Sequence, residues 1–426
     1  MKTIGIIAEF NPFHNGHRYL IDEARRISGA DFCVVVMSGD FVQRGEPAIF
    51  DKYRRTEMAL SCGADAVFEL PVHYSLSSAE AFAYGSVLLL SSLGCVDEIW
   101  FGSESGNIEE LMKAARIVAE EPAEYRSVLS AKLKEGLTFP SARALAAGLF
   151  IDSSILSSPN NILGVEYCKA SLRITDIRIP RLCTIQRVGA SYDLETPDDS
   201  LENSAASALA IRNLLKNGSD PASLKNFVPS EVLDLIRDPE LPVPVIFADD
   251  FSSILYSKLS DIRSARYSSE ELSESYGIPA HLISNILRHS EDAFSFTGLA
   301  QEVKNKSITY TAVCRALMRI SLSLCDMRPL CNSKHIGVTA PEPFIEQSFP
   351  GIDHARILGM KKEASPLIRQ INETSHVEII NKLADARTGS LLLEQSISAS
   401  RLYTQILFQK YGIRQKDEYR RTIILK

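Results

Sequence analysis

Residues 3–20 read TIGIIAEFNPFHNGHRYL, and their pattern is the clearest indication of the fold class. Residues 3–10 are mostly apolar, which is typical of a strand buried on both faces of a sheet. Asn11 and Pro12 end that strand, because proline has no N–H to donate to the ladder. A helix is predicted over residues 18–27. The chain therefore begins with a strand, a short turn and a helix.

The same alternation continues to about residue 220. Strands are predicted at residues 32–37, 66–70, 98–102 and 184–187, and helices at residues 52–61, 161–172 and 205–216. Apolar strands that alternate with helices indicate a parallel sheet covered on both faces. We therefore expect an α/β fold with a Rossmann-like doubly wound parallel sheet, whose ligands bind at the carboxyl ends of the strands.

Beyond residue 220 the pattern becomes helical and then mixed. Helices are predicted at residues 253–259, 270–276, 280–289, 293–304 and 309–324. The sequence thus predicts a catalytic α/β domain over residues 1–220, an all-helical domain over residues 221–330 and a mixed C-terminal region over residues 331–426. That region ends in a basic tail, because residues 401–426 carry seven lysines or arginines and two acidic residues.

The composition is that of an ordinary globular protein. Of 426 residues, 45% are hydrophobic and 23% are charged, and the formal net charge is −7, which predicts a sizeable core. The chain has neither a secretory signal nor an apolar run long enough to span a bilayer, so we expect a cytoplasmic protein without a membrane span. The eight cysteines include no C-x-x-C pair, which argues against a zinc knuckle or a dithiol motif.

The turn at residues 11–17 contains the candidate ligand-binding residues. A helix that follows the first strand of such a sheet presents free N–H groups and the positive end of its dipole to an anion. Gly16 permits a close backbone approach, and His14 and His17 can both donate hydrogen bonds to phosphate oxygens. The arrangement predicts a phosphate-binding cradle. Two surface histidines on a plain turn, or a zinc site that lacks an evident third ligand, are the alternatives.

The segment from His14 to His17 resembles the HIGH motif of the nucleotidyltransferase superfamily, which includes class I aminoacyl-tRNA synthetases. The resemblance implies that both histidines are catalytic, because in that superfamily they bind the phosphates of ATP and stabilise attack on the α-phosphorus. It also implies that residues 1–220 form a HIGH-type nucleotidyltransferase domain.

Longer segments resemble the bacterial tRNA(Met) cytidine acetate ligase family. They are residues 5–20, SGDFVQRGEP at 38–47, FELP at 68–71, FGSE at 101–104 and SPNNILG at 158–164. The resemblance implies an enzyme that converts acetate and ATP into acetyl-adenylate and pyrophosphate. It then passes the acetyl group to N4 of the wobble cytidine of elongator tRNA(Met), forming N4-acetylcytidine. Mg²⁺ is expected with the ATP substrate, and no protein-bound metal is expected.

Carried over to this sequence, the family's ATP site falls on the first turn, a strand end and a helix start. It comprises Ile7, Ala8, Glu9, Phe10, Asn11, Pro12, Phe13, His14, Asn15, Gly16, His17, Arg18, Tyr19, Leu20, Gly102, Asn160, Asn161 and Arg187. Gly102 ends a strand, where a missing side chain leaves room for adenine or ribose. Asn161 opens a helix, where its amide can cap the helix or contact the nucleotide. A turn glycine and a simple helix start are the structural alternatives.

Two further groups complete the expected site. Asp40, Gln43 and Arg44 follow the second strand and are predicted to bind acetate or orient the cytidine, with a structural loop as the alternative. The second phosphate-binding motif of the superfamily has its nearest match at residues 202–212, which contain no lysine. Candidate pyrophosphate contacts there are Ser204, Ser207 and Arg212.

RNA contact is predicted for the segment around the helix at residues 309–324. Its basic and aromatic candidates are Lys304, Lys306, Tyr310, Arg315 and Arg319. Such side chains can follow an RNA backbone and stack on a base, although a solvated helix face would carry the same charges. The basic tail is expected to assist in holding the anticodon stem.

Two other classes of function remain open at this stage. A small-molecule adenylyl- or cytidylyltransferase would share the histidine site but has no need of the roughly 200 residues after the α/β domain. A non-catalytic RNA-binding protein would have no reason to keep His14, Gly16 and His17 together. The oligomeric state has no sequence signal.

Overall fold

One open sheet organises the chain and includes the first predicted strand. The computed structural model describes residues 1–187, 208–237, 243–325 and 349–426. The strands in these residues are β1 (Thr3–Ala8), β2 (Phe32–Ser38), β3 (Phe41–Val42), β4 (Glu46–Pro47), β5 (Ala66–Leu70), β6 (Glu98–Ser103), β7 (Arg181–Gln186), β8 (His354–Met360), β9 (Glu378–Ile380) and β10 (Ile424–Leu425).

Helices cover both faces of the sheet and form a separate helical part. In the described residues they are α1 (Asn15–Ser28), α2 (Lys52–Ser61), α3 (Val72–Ser75), α4 (Ala79–Ser92), α5 (Ile108–Glu120), α6 (Ala123–Lys134), α7 (Phe139–Ala147), α8 (Pro159–Arg173), α9 (Ala208–Lys216), α10 (Ser230–Ile236), α11 (Ser252–Ala265), α12 (Ser269–Tyr276), α13 (Ala280–His289), α14 (Phe296–Val303), α15 (Tyr310–Ser321), α16 (Ser365–Thr374) and α17 (Leu391–Tyr411). None of these helices is long and apolar enough to cross a membrane.

The strand order confirms the doubly wound α/β fold. The order is β10-β8-β5-β2-β1-β6-β7, and β9 pairs with β8. Strand β1 lies between β2 and β6 and runs parallel to both, with Ile4 opposite Cys33 on one side and Glu98 on the other. The chain order of the strands therefore reverses at β1 and β6, which is where such sheets open a ligand crevice.

The C-terminal region adds strands that the sequence did not predict. The α/β pattern was expected to close near residue 220, whereas β8 pairs antiparallel with β5. Both β9 and β10 pair parallel with β8, so this edge of the sheet runs opposite to the rest. These strands were missed because pairing between strands about 290 residues apart leaves no local pattern. The domain boundaries at residues 220 and 330 stay a prediction.

The two faces of β1 belong to two apolar cores. Ile4 and Ile6 pack on the side of α1 and α2, with Ile21 and Met58. Ile7 packs on the other side with residues of α4, α5 and α8. Burial on both faces explains why β1 reads as a mostly apolar run rather than as an alternating one.

The helical part packs on its own core and holds the β3–β4 hairpin. Phe251, Leu317 and Tyr403 share this core with Phe41 of the hairpin. Gly45 turns the hairpin with φ +85°, and a Cβ there would lie 2.3 Å from the Arg315 backbone nitrogen. A glycine is therefore required for the hairpin to lie this close to α15.

Candidate active site

A cavity opens where the carboxyl ends of β1, β6 and β7 meet the start of α1. It lies beside the reversal of strand order, the usual ligand position in this class of sheet. The lining residues are Ile6, Ile7, Ala8, Glu9, Phe10, Asn11, His14, Gly16, His17, Tyr19, Leu20, Gln43, Arg44, Phe82, Phe101, Gly102, Asn160, Leu163, Tyr167, Ile185, Gln186, Arg187, Ala208, Leu209 and Arg212.

The two histidines are fixed by the helix that they begin. His14 is the N-cap of α1, and its Nδ1 accepts a hydrogen bond from the Gly16 N–H at 3.1 Å. The His17 Nδ1 accepts one from the His14 N–H at 3.2 Å, which completes a capping box. The two rings stack with their centroids 3.7 Å apart. The helix start therefore sets the position and orientation of both imidazoles.

Both imidazoles are uncharged. Burial, assisted by the charges of Arg187 and Arg212, lowers the pKa of His14 to about 3. Burial also lowers the pKa of His17, and the neighbouring His14 adds to the effect. In a neutral imidazole whose Nδ1 accepts a hydrogen bond, the proton lies on Nε2. His14 and His17 both line the cavity, and each keeps one N–H, on Nε2, that the capping box does not use.

The turn before α1 has a constrained backbone and packs the ring of Phe10 against His17. Phe10 adopts a left-handed backbone conformation with φ 48°, which is uncommon for a residue with a side chain. Its buried ring lies edge-on to His17, with the centroids 4.9 Å apart. The surrounding core holds this conformation, and strained backbone of this kind concentrates at functional sites.

The backbone N–H groups at the start of α1 are occupied, so this part of the cradle prediction was wrong. The Asn15 N–H donates to the Phe227 carbonyl at 3.0 Å, and the His17 N–H donates to the His14 carbonyl at 2.9 Å. The Gly16 N–H is taken by His14 itself. The capping box and the Phe227 carbonyl therefore use the backbone donors that the sequence assigned to an anion.

Three arginines border the same cavity. The Arg187 Nη1 donates to Asn160 Oδ1 at 3.1 Å, which holds this guanidinium at the start of α8. The Arg212 Nη1 donates to the Asn11 carbonyl at 2.9 Å, and Arg44 reaches the cavity from the hairpin. Several fixed positive charges beside neutral donors suit a polyanionic ligand.

Gly102 lines the cavity, and the absence of a side chain there leaves room for the side chain of Arg187. A Cβ at this position would lie 3.1 Å from the Cγ of Arg187. The sequence suggested that the missing side chain leaves room for adenine or ribose, whereas the structure shows the Arg187 side chain beside it.

Glu104 organises the start of α8, a role that the sequence did not reveal. Its carboxylate accepts from Asn160 Nδ2 and from the Asn161 N–H, both at 2.7 Å. The Asn161 Oδ1 accepts from the Ser105 N–H at 3.0 Å. Asn161 therefore ties the loop after β6 to α8 and does not line the cavity.

Five carried-over residues do not line the cavity. They are Pro12, Phe13, Asn15, Arg18 and Asn161. The Arg18 guanidinium pairs with Asp22 at 3.0 Å and Glu231 at 3.3 Å, on the solvent side of α1.

Asp40 lies in a buried network instead of at the mouth of the site. Its Oδ1 accepts from the Lys52 N–H at 2.8 Å, and its Oδ2 accepts from the Ser400 hydroxyl at 2.6 Å. The prediction that Asp40 faces acetate or cytidine was wrong, because the side chain is 5% exposed and both oxygens are engaged. Gln43 and Arg44 of the same loop do line the cavity.

An apolar wall of the cavity was missed. It includes Phe82, Phe101, Leu163, Tyr167 and Ile185. Their types do not distinguish them from the rest of the core, and only the position of Phe101 next to Gly102 at a strand end gave a hint.

The two arginines of the predicted RNA face hold backbone carbonyls. The Arg315 Nη1 donates to the Gln43 carbonyl at 3.2 Å, and burial lowers the pKa of Arg315 to about 10. The Arg319 Nε donates to the Tyr276 carbonyl at 3.0 Å, and this side chain is 8% exposed. The prediction was wrong for Arg319, whose buried guanidinium holds a carbonyl of α12. Arg315 is half-buried and holds a carbonyl of the hairpin, and its RNA contact stays a prediction.

The remaining candidates of that segment are accessible. Lys304 and Lys306 are exposed, and the Lys304 Nζ lies 6.0 Å from the ring centroid of half-buried Tyr310. Ser204 and Ser207, the candidate pyrophosphate contacts, lie outside the described residues. Within the residues that the structure describes, no group of three or more His, Cys, Asp or Glu side chains is placed to hold a metal ion.

Known proteins are similar to this chain in sequence and fold over nearly its whole length. The HIGH Nucleotidyl Transferase family matches residues 1–419. The tRNA(Met) cytidine acetate ligase of Clostridium acetobutylicum is 37% identical and covers 100% of both chains. That of Clostridium novyi is 34% identical over 95% of this chain and 96% of its own.

Two solved structures share the fold. Apo Thermotoga maritima TmcAL superposes with a TM-score of 0.81 at 27% identity, covering 100% of this chain and 99% of its own. The same protein bound with alpha-thio ATP gives a TM-score of 0.80 at 26% identity, with the same coverage.

Proposed function

The chain belongs to the HIGH Nucleotidyl Transferase family and, within it, to the tRNA(Met) cytidine acetate ligases, and from this premise we propose that it joins acetate to a tRNA cytidine with the energy of ATP. The main observation in support of this proposal is the pair of neutral, stacked imidazoles of His14 and His17 in a cavity bordered by arginines. A similar structure that holds an ATP analogue supports ATP as the nucleotide.

In the first step, an acetate oxygen attacks the α-phosphorus of ATP and pyrophosphate leaves. Negative charge then develops on the α-phosphate oxygens, where the Nε2–H groups of His14 and His17 would donate. Neutral donors already fixed by the capping box need no reorganisation during the reaction. The product is acetyl-adenylate, a mixed anhydride.

The arginines would hold the leaving polyphosphate. Arg187 and Arg212 are fixed to Asn160 and to the Asn11 carbonyl, so their charge is held at the cavity. We assign Arg212 to pyrophosphate, together with Ser204 and Ser207 of the preceding segment. Mg²⁺ would arrive with the polyphosphate, because ATP carries its metal through phosphate oxygens.

The acetate would enter from the hairpin side of the cavity. Arg44 lies there with Gln43, and a guanidinium is suited to a carboxylate. Arg315 holds the hairpin through the Gln43 carbonyl, so the position of this side of the site depends on α15.

In the second step, the acetyl group passes to N4 of the wobble cytidine of elongator tRNA(Met). The names of the relatives support this acceptor. Anticodon-loop bases are accessible without loss of duplex pairing, so the cytidine can enter a pocket at low cost. Exposed Lys304 and Lys306, and the basic tail at residues 401–426, would contact the phosphates. A tRNA substrate supports our proposal that the protein acts in the cytoplasm.

The test supplies the purified protein with ATP, Mg²⁺ and radiolabelled acetate, with and without bulk bacterial tRNA. We expect labelled acetyl-adenylate in both reactions and labelled N4-acetylcytidine in nuclease digests of the tRNA reaction. ATP binding without label in either product would overturn the proposal and favour a small-molecule adenylyl- or cytidylyltransferase.

A further inference from the structure

One carboxylate stands out among the arginines and imidazoles of the cavity. Of the described lining residues, Glu9 is the one with an acidic side chain. A carboxylate would repel the phosphates of ATP at close range. Its presence in the wall therefore calls for a ligand group that donates hydrogen bonds.

One oxygen of the Glu9 carboxylate is hydrogen-bonded, and the other has no donor among the described residues. Its Oε1 accepts from the Gln43 N–H at 2.6 Å. Its backbone carbonyl accepts from the Arg55 Nη1 at 2.6 Å, which fixes the end of β1. No described residue donates to Oε2, although the side chain lines the cavity. One oxygen is therefore available to a ligand.

The chemistry that matches this oxygen is the exocyclic amine of cytosine. Carboxylates accept hydrogen bonds from cytosine N4, whereas adenine and uracil present different patterns of donors and acceptors. The amine must also lose a proton when it attacks an acyl carbon, and a positioned carboxylate can take it.

The electrostatics agree with a basic role. Burial raises the pKa of Glu9, against the opposing effects of the Gln43 N–H and of Arg44, Arg212 and Arg55. A raised pKa makes the carboxylate a better proton acceptor than an exposed glutamate.

We propose that Glu9 binds the N4 amine of the target cytidine through Oε2 and accepts its proton during acetyl transfer. This inference rests on the proposed function. The N4 lone pair forms a bond to the acetyl carbon, and the bond from that carbon to the phosphate oxygen of AMP breaks with its electron pair. One N4 proton moves to Glu9, which releases it to solvent after N4-acetylcytidine and AMP leave.

The test separates the two half-reactions in Glu9→Gln. Glutamine keeps an oxygen that accepts from the Gln43 N–H, so the end of β1 stays in place. Acetyl-adenylate formation is measured from ATP and labelled acetate without tRNA. Acetyl transfer is measured separately, with synthetic acetyl-adenylate and tRNA. The matched control is Glu46→Gln, on the same hairpin but outside the cavity lining.

Glu9 also lines the cavity proposed to hold ATP, so the test compares the two losses: we expect Glu9→Gln to slow transfer by about 10²-fold or more and to slow acetyl-adenylate formation far less. Glu9→Asp should recover part of the transfer rate, since it keeps a carboxylate. Transfer at the wild-type rate in Glu9→Gln would overturn the proposal. Equal loss in both half-reactions would also overturn it and assign Glu9 to ATP or its metal. If wild type itself forms no acetyl-adenylate, the proposed function fails and this inference falls with it.

Discussion

At the scale of single residues, the histidine pair has two functions that a substitution can separate. His14 caps α1 through Nδ1 and is proposed to act on phosphate through Nε2. Asparagine also caps helices, because its side-chain oxygen accepts from the same region of backbone N–H groups. It does not supply the Nε2–H donor.

We expect His14→Asn to reduce acetyl-adenylate formation by about 10²-fold or more, the effect of losing one preorganised donor. The fold should remain, as circular dichroism and the thermal midpoint would show. His17→Ala should give a similar loss of rate. The control is His281→Asn, at an exposed position of α13. Near-normal adenylate formation in both site variants would refute the two-donor assignment.

The same burial makes stability depend on pH. The folded protein keeps His14 neutral down to about pH 3, whereas the unfolded chain takes up this proton near the ordinary pKa of 6.5. The unfolded state therefore binds more protons in this window, and falling pH destabilises the fold. His14 should contribute about 1.4 kcal/mol for each pH unit below 6.5.

Urea unfolding at pH 7, 6 and 5 checks this prediction. We expect the free energy of unfolding of His14→Asn to fall less steeply with decreasing pH than that of wild type. Carboxylates that titrate near pH 5 affect both proteins alike, so the difference in slope reports His14. Parallel slopes would contradict the low pKa.

At the scale of elements, α15 supports the site through the contacts of its arginines. Its Arg315 holds the Gln43 carbonyl, and Gln43 in turn donates its N–H to Glu9. Its Arg319 holds the Tyr276 carbonyl at the end of α12. The amphipathic pattern correctly predicted the helix, but Arg319 lies on its packed side and Arg315 is half-buried.

We expect Arg319→Ala to lower the free energy of unfolding by about 1–3 kcal/mol, because it leaves the Tyr276 carbonyl without this partner. The salt dependence of tRNA binding should stay unchanged. Replacing exposed Lys304 and Lys306 by alanine should do the reverse and weaken binding with a shallower salt slope. Urea unfolding and filter binding at several salt concentrations measure the two effects. A shallower salt slope for Arg319→Ala would restore it as an RNA contact.

At the scale of the whole molecule, a buried charge network joins the first strands to the C-terminal region. The Lys52 Nζ pairs with Glu69 at 2.8 Å and with Glu418 at 3.0 Å. Arg356 of β8 pairs with Glu69 at 3.1 Å and with Glu418 at 2.6 Å. Burial alone would raise the pKa of Glu418, but Lys52 and Arg356 lower it to about 2. The network thus ties β8 and the tail to β5 and α2.

We expect Glu418→Ala to lower the free energy of unfolding by about 3–5 kcal/mol, the cost of removing one partner from a buried ion pair. Urea unfolding measures the change. The control is Glu363→Ala at an exposed position, which should remain within about 0.5 kcal/mol of wild type. Equal urea midpoints for the two variants would refute a stabilising network.

Local sequence patterns were enough to predict the main-sheet strands β1, β2, β5, β6 and β7, the helix α1 and the place of His14 and His17 at the start of that helix. These features are local, because a buried parallel strand, a turn and a capped helix can each be recognised from a few neighbouring residues. The position of the cavity followed as well, since it depends on the order of strands along the chain.

Only the tertiary structure decided the protonation of the histidines, the positions of Asp40 and Glu9 and the place of β8. Burial and charge set the protonation of the histidines, and both depend on residues such as Arg187 and Arg212 that are far away in sequence. Asp40 and Glu9 are both acids near strand ends, and the contact with Ser400 buries one while the other faces the cavity. Strand β8 joins β5 across about 290 residues. Contacts between distant segments leave no local sequence pattern, so these features could not be predicted from the sequence.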